Sequence, residues 1–211
     1  PTTQKMWMEV MENNPSYSKG DNRPVESITW WEALEYCNKL SEKYGLIPVY
    51  DLSRWTEQIL MIKQLDGKVV APDEADFLKT EGFRLPTDIE WEWFARGGKI
   101  GQKTGSFNYK YSGSNNIDEV AWYFKNSSIN KKSSKEIHEV ALKKANQLGI
   151  YDCSGNLWEW IYDIDENFGK RRKIRGGCYY SDPEVCTVLF CHSELSAKTF
   201  DNIGFRVVRT L

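Results

Sequence analysis

The chain has 211 residues, of which 40% are hydrophobic and 14% aromatic, with nine Trp and eleven Tyr. That is enough apolar mass for one buried core and too much for a disordered chain. The 28 basic and 30 acidic residues leave a formal charge of −2, so no field of one sign steers the chain to nucleic acid or an anionic membrane. No apolar run reaches the ~18 residues of a membrane helix, and no signal-peptide pattern opens the chain. In chain order, a first helix is predicted near Thr3 to Met11, before the turn signal Asn13-Asn14-Pro15. The second is better specified. Thr29 and Glu32 form a capping box, apolar residues recur at Trp30, Ala33, Leu34, Cys37, Leu40 and Tyr44, and Gly45 ends the run. The third is capped by Thr87 with Glu90, turns Trp91, Phe94 and Ala95 inward and stops at Gly97-Gly98.

Residues 99–150 are broken by Gly, Ser and Asn and are expected to be long loops, with the lysine-rich 131–135 stretch a solvated one. From Tyr151 onward strands are predicted at Leu157–Trp160, Ile174–Arg175, Val185–Phe190 and Gly204–Arg209. Helices first and short strands later indicate an α+β fold in a single domain over 1–211. The five cysteines, at 37, 153, 178, 186 and 191, are odd in number and contain no Cys-x-x-Cys pair. They indicate neither a disulfide framework nor a zinc site. Cys37 and Cys153 read as buried filler.

Four strings carry a resemblance: Gly82-Phe83-Arg84-Leu85-Pro86-Thr87 leading to Glu90-Trp91-Glu92 and Ala95-Arg96-Gly97-Gly98; Leu148 to Trp160, with Asp152-Cys153-Ser154-Gly155-Asn156-Leu157-Trp158-Glu159-Trp160; Arg175-Gly176-Gly177; and Gly204-Phe205-Arg206-Val207-Val208. In this order they resemble the sulfatase-modifying, formylglycine-generating-enzyme-like family, across nearly the whole chain. The resemblance implies the C-type lectin fold, and an opening strand of the family that would precede Pro1. Read as residues, the same strings are largely scaffold: Trp158 and Trp160 belong to a strand, the glycines permit a close turn, and Arg84, Arg175 and Arg206 tie loops to carboxylates or carbonyls.

The family's oxidase chemistry uses two cysteines five positions apart after Arg-Gly-Gly, with copper. Carried onto this chain the second is Cys186 and the first falls on Ser181, and a hydroxyl cannot replace a soft thiolate ligand. The family also implies calcium along Asp152 to Glu159, with side-chain oxygens from Asp152 and Glu159 and carbonyls from Gly155 and Leu157. An all-oxygen set of this kind suits a hard cation. Against it stands a structural reading in which Asp152 caps a turn and Glu159 pairs with a buried Arg. Only His138 and His192 are present, too few for the three-histidine iron site of a related branch, and no cofactor is required.

Between Gly177 and Ile203 the residues depart from the family while the length does not. This resembles the variable proteins of diversity-generating retroelements, above all the treponemal kind, a surface lipoprotein. Their last segment before Gly-Phe-Arg is rewritten by adenine-directed mutagenesis. The segment 178–201 is thus expected to be a non-catalytic ligand-binding surface: Cys178, Tyr179, Tyr180, Ser181, Asp182, Val185, Leu189, Phe190, Cys191, His192, Ser193, Phe200 and Asp201. Tyr179, Tyr180, Ser181 and Asp182 are expected outward, whereas strand alternation puts Leu189 opposite Val188 and Phe190. Tyr and Phe supply contact area at low entropy cost, and Ser and Asp adaptable hydrogen bonds. The resemblance implies a protein or other macromolecular partner on a host or neighbouring cell. It also implies display at the cell surface through a lipid anchor ahead of Pro1, without insertion of the domain itself in the membrane. A copper oxidase with rearranged cysteines and a calcium-dependent lectin are the alternatives.

Overall fold

The computed structural model describes residues 1–128 and 134–210; within the lysine-rich 131–135 stretch, residues 131–133 lie outside them. Helix α1 (Gln4–Met11) is capped by Thr3, whose hydroxyl accepts from the Met6 amide. Helix α2 (Trp30–Lys43) carries the predicted capping box between Thr29 and Glu32. It ends at Tyr44, followed by Gly45 at φ 69°. Three short strands, β1 (Tyr50–Asp51), β2 (Met61–Lys63) and β3 (Val69–Val70), form an antiparallel sheet. Strand β4 (Phe83–Arg84) then leads into helix α3 (Asp88–Ala95), with the second capping box at Thr87 and Glu90.

Helices α4 (Gly98–Thr104) and α5 (Ile117–Val120) interrupt the region expected to be loops throughout. Helix α4 begins on Gly97, in the left-handed region with no side-chain cap, so the usual start signal is missing. The Val185–Phe190 strand is also corrected, since that segment folds into turns. The strands here are β5 (Trp158–Ile164), β6 (Arg171–Arg175), β7 (Cys191–Leu195), β8 (Ile203–Phe205) and β9 (Val208–Arg209). β9 pairs with β4, and the other four form one sheet in the order β7-β6-β5-β8, with β5 and β8 parallel.

Alternation along β5 decides what packs on each face. Trp158, Trp160 and Tyr162 enter the main core with Trp7, Trp30 and Tyr36 of α1 and α2. Ile161 enters a second core with Trp91 and Ala95 of α3. Two of the buried indoles find acceptors in the core: Trp30 Nε1 donates to the Ile161 carbonyl at 2.8 Å and Trp160 Nε1 to that of Ile28 at 3.3 Å. A helix therefore covers each face of the main sheet. No helix among the described residues is long and apolar enough to cross a membrane.

Candidate binding surface

Three arginines hold the scaffold as the sequence predicts. Arg84 forms a two-pronged pair with Glu90, both contacts 2.6 Å, Arg175 pairs with Asp88 and Glu92, and Arg206 pairs with Glu159 at 2.6 and 2.5 Å. Glu159 is fully buried and also accepts from Trp91 Nε1 at 2.7 Å. Its carboxylate is thus committed to three donors, one end of it facing a cation. Asp152, buried in a left-handed backbone conformation, accepts from the Ala141 amide at 2.8 Å. Asn156, between them, bonds both backbone groups of His138. The segment 152–159 therefore ties a loop to the core. Asp152, Gly155, Leu157 and Glu159 do not fit a calcium ion with Glu159 as a ligand, because Arg206 already occupies the place of the cation.

The loop so tied has its own electrostatics. His138 is half-buried and stacked on Trp122 at 3.8 Å, with Lys143 4.1 Å from the ring of that indole. Burial, with help from Arg23 and Lys143, lowers its pKa below the usual 6.5. The folded state therefore binds this proton less readily than the unfolded chain, so the contribution of His138 is intact above pH 6.5 and is lost as pH falls below it. Urea denaturation should show stability falling from pH 7 to 5.5 more steeply in the wild type than in His138→Phe; equal slopes would refute this origin.

The candidate surface starts at the Gly176-Gly177 turn, where both residues have positive φ and a Cβ on Gly177 would meet Cys186 Sγ at 2.8 Å. The next residues divide sharply between anchors and outward positions. Cys178 is buried in the main core, and its amide donates to Ser181 Oγ at 3.0 Å. Ser181 is consequently buried, and its carbonyl accepts from the Phe124 amide at 3.0 Å. Ser193 is buried too, donating to Asp165 Oδ2 at 2.5 Å. Ser181 corrects the expectation of an outward side chain, and Cys178 and Ser193 correct their expected place in the binding surface: their polar atoms are consumed within the fold. Tyr179, expected outward, is instead half-buried because its ring packs against the core, as Val185 and Phe200 do, and Cys191 is half-buried on β7.

Tyr180, Asp182, Leu189, Phe190, His192 and Asp201 face solvent, with Tyr180 47%, Leu189 67% and Phe190 37% exposed. Leu189 and Phe190 escape the predicted alternation because they lie in a turn. Val188 alone is held inside, its amide on the Lys110 carbonyl and its carbonyl on Arg175.

Two residues outside the expected set join these positions. Trp158 lies beneath, its ring 6.0 Å from Phe190 and 6.2 Å from His192. Asn202 accepts from the Trp158 amide through its carbonyl and donates through its side chain to Tyr180 Oη at 2.6 Å. Trp158 stands in the quoted Trp-Glu-Trp string, but nothing local to the sequence links it to residue 190. Three thiols around this surface are buried, and Cys191 alone is partly accessible. Burial pushes Cys153 up to about 11 and Cys186 up to about 12, and raises Cys178 as well, so the thiolate needed for soft-metal or redox chemistry is suppressed.

The sulfatase-modifying factor enzyme 1-like domain family matches residues 2–211. A protein named chaperone protein LppX, from Paenibacillus barcinonensis, is 41% identical over 99% of this chain and 77% of its own length. The formylglycine-generating enzyme of Streptomyces coelicolor is 26% identical over 64% of this chain, which spans 49% of that relative. Among solved structures, Treponema denticola variable protein 1 superposes with a TM-score of 0.73 at 30% identity, covering 98% of this chain and 81% of that one. With both capping boxes, the arginine pairs and the helix-covered sheet in place, the chain belongs to the formylglycine-generating-enzyme-like, sulfatase-modifying factor family and has its C-type lectin-like fold.

Proposed function

We propose that this domain is a non-catalytic binding protein whose partner is a polypeptide, engaged by Tyr180, Asp182, Leu189, Phe190, His192 and Asp201. The observation that carries the reading is the division within 178–201: Cys178, Ser181 and Ser193 are buried with their polar atoms engaged inside the fold, while aromatic and aliphatic side chains stand outward above Trp158. A rigid frame presenting exposed Tyr, Phe and Leu beside a few polar groups is the composition of a recognition surface. Likeness to proteins named as a chaperone and as a variable protein supports binding over catalysis. The serine at 181, where the oxidase has its first cysteine, speaks against the copper oxidase, and the commitment of Glu159 to Arg206 speaks against a calcium-dependent lectin.

As in retroelement variable proteins, we read the outward residues as the ones free to change. Cys178, Ser181 and Ser193 would be fixed by their buried contacts. A near-copy of the 3′ end of the gene, differing at adenines and lying beside a reverse transcriptase gene, is the expected genomic sign. The role fits display at the cell surface facing a host or neighbouring cell.

Selection of a random dodecapeptide display library on the immobilised domain tests the binding reading. Enriched peptides should lose affinity by at least about 100-fold when Tyr180, Leu189, Phe190 and His192 are all changed to Ser, because central aromatic contacts each cost about 2 kcal/mol or more. Stability should move by about 0.5 kcal/mol or less per site, as at other exposed positions. Peptides indifferent to the four changes, or copper-dependent turnover of a cysteine-containing sulfatase peptide that vanishes in Cys186→Ser, would overturn it.

A further inference from the structure

The two edges of the main sheet are treated differently. At β8 the N-terminal segment closes the edge: the Thr2 amide donates to the Phe205 carbonyl, and a Cβ on Gly204 would run into the Val25 carbonyl. Strand β7 has no neighbour on its outer side among the described residues. The direction of its backbone groups follows from two bonds. The Asp165 amide donates to the Arg171 carbonyl at 3.0 Å, which turns Arg171 toward β5, and the Ser196 amide donates to the Lys170 carbonyl at 3.1 Å, which turns Lys170 toward the β7 side. With a period of two, Arg172 and Ile174 meet Glu194 and His192 through backbone bonds. The amides of Cys191, Ser193 and Leu195 consequently point away from the sheet.

Some outward carbonyls on this edge already have partners. That of Ser193 accepts from Arg171 Nη1 at 2.7 Å and that of Leu195 from the Lys198 amide at 3.0 Å. Among the described residues the outward amides have no partner, nor does the Cys191 carbonyl. Proteins ordinarily blunt such an edge with Lys, Pro or a bulge. β7 reads Cys-His-Ser-Glu-Leu and keeps five consecutive pairs in register with β6. A groove of about 550 Å³ runs alongside, lined by Asp165, Phe168, Arg171, Lys173, Cys191 and His192.

We infer that β7 accepts an extended polypeptide segment as a fifth strand, with one of its side chains in this groove. The inference rests on the binding reading above and names its mode. A row of amides spaced at every second residue is complemented by the carbonyls of another extended backbone, whose alternate side chains would point to one face of the sheet. The edge adjoins Phe190 and His192, so one ligand spans both.

Cys191 supplies the probe, because the other four cysteines are buried and it alone is partly accessible. Peptides from the dodecapeptide selection should slow its reaction with a disulfide reagent by about tenfold or more. N-methylation along a bound peptide should weaken binding by about tenfold at every second residue, where the methyl group stands between the strands and blocks approach to the β7 amides, and little between. Leu195→Pro removes an outward amide and leaves the β6 ladder intact. It should abolish binding while the urea midpoint of a Leu195→Ala control bounds any loss of stability. Peptides lost in the four-serine variant but unaffected by Leu195→Pro and showing no N-methyl period would leave the binding surface standing and overturn the strand mode. Failure to select any peptide overturns both. Sedimentation showing that β7 is instead occupied by a second copy, with dimer lost in Leu195→Pro, also overturns it.

Discussion

Glu159→Ala should destabilise the domain by roughly 3–5 kcal/mol, the range for removing one partner of a buried ion pair. The substitution strands the Arg206 guanidinium in a site where it is 12% exposed and takes the acceptor from buried Trp91 Nε1. For a chain of this size that corresponds to a fall in Tm on the order of 10 °C. Replacing both partners, Glu159→Leu with Arg206→Met, should recover most of the loss, since an apolar pair of similar volume removes two desolvation costs together. Thermal and urea denaturation of the wild type, Glu159→Leu, Arg206→Met and the double variant complete the double-mutant cycle that measures the coupling. A single-variant loss under about 1 kcal/mol would mean that the pair does not hold β5 to the Gly204–Arg209 segment. The cycle also bears on calcium: if the same carboxylate held a metal, chelation would lower the wild-type midpoint and leave that of Glu159→Ala unchanged.

Why the frame was readable and the surface only partly so has a physical basis. Helices α2 and α3 announce themselves because a capping box needs only a hydroxyl and a carboxylate three residues apart. The arginine pairs were readable as a type of interaction, with partners that only the fold supplies: Glu90 lies six residues from Arg84, but Glu159 lies 47 from Arg206. Residues 185–190 carry the composition of a strand and become a turn because distant groups outcompete the local preference. Cys186 is drawn into a cluster with Tyr111, Val120 and Tyr123, and the Val188 amide is taken by Lys110. For the same reason Ser181 and Ser193 cannot be told from solvent-facing serines in the sequence. A hydroxyl is buried when a partner happens to be in reach, and here the partners are the Cys178 amide and Asp165. Helix α4 was invisible because a glycine N-cap with no side-chain bond leaves no signature.

Trp158→Ala should cost roughly 3–5 kcal/mol, as for other buried Trp truncations, and should also disable the surface that it underlies. The indole belongs to the main core on one side and lies against Phe190 and His192 on the other. Its loss leaves a cavity below the two residues that carry the exposed contact area. Trp158→Phe separates the two effects. It keeps an aromatic plate under Phe190 and most of the apolar contact, so most of the stability should return, while the smaller ring lets Phe190 and His192 settle inward. Urea denaturation should place Trp158→Phe about 1–2 kcal/mol below the wild type, well short of the Ala loss, because only part of the indole volume is removed. Its affinity for selected dodecapeptides should still fall by about tenfold, one hot-spot contact displaced. Affinity that tracks stability through both variants would show Trp158 acting only through the core. Affinity lost in Trp158→Phe with most of the stability kept would show that Trp158 sets the shape of the surface, which is what a rigid frame carrying changeable outward residues requires.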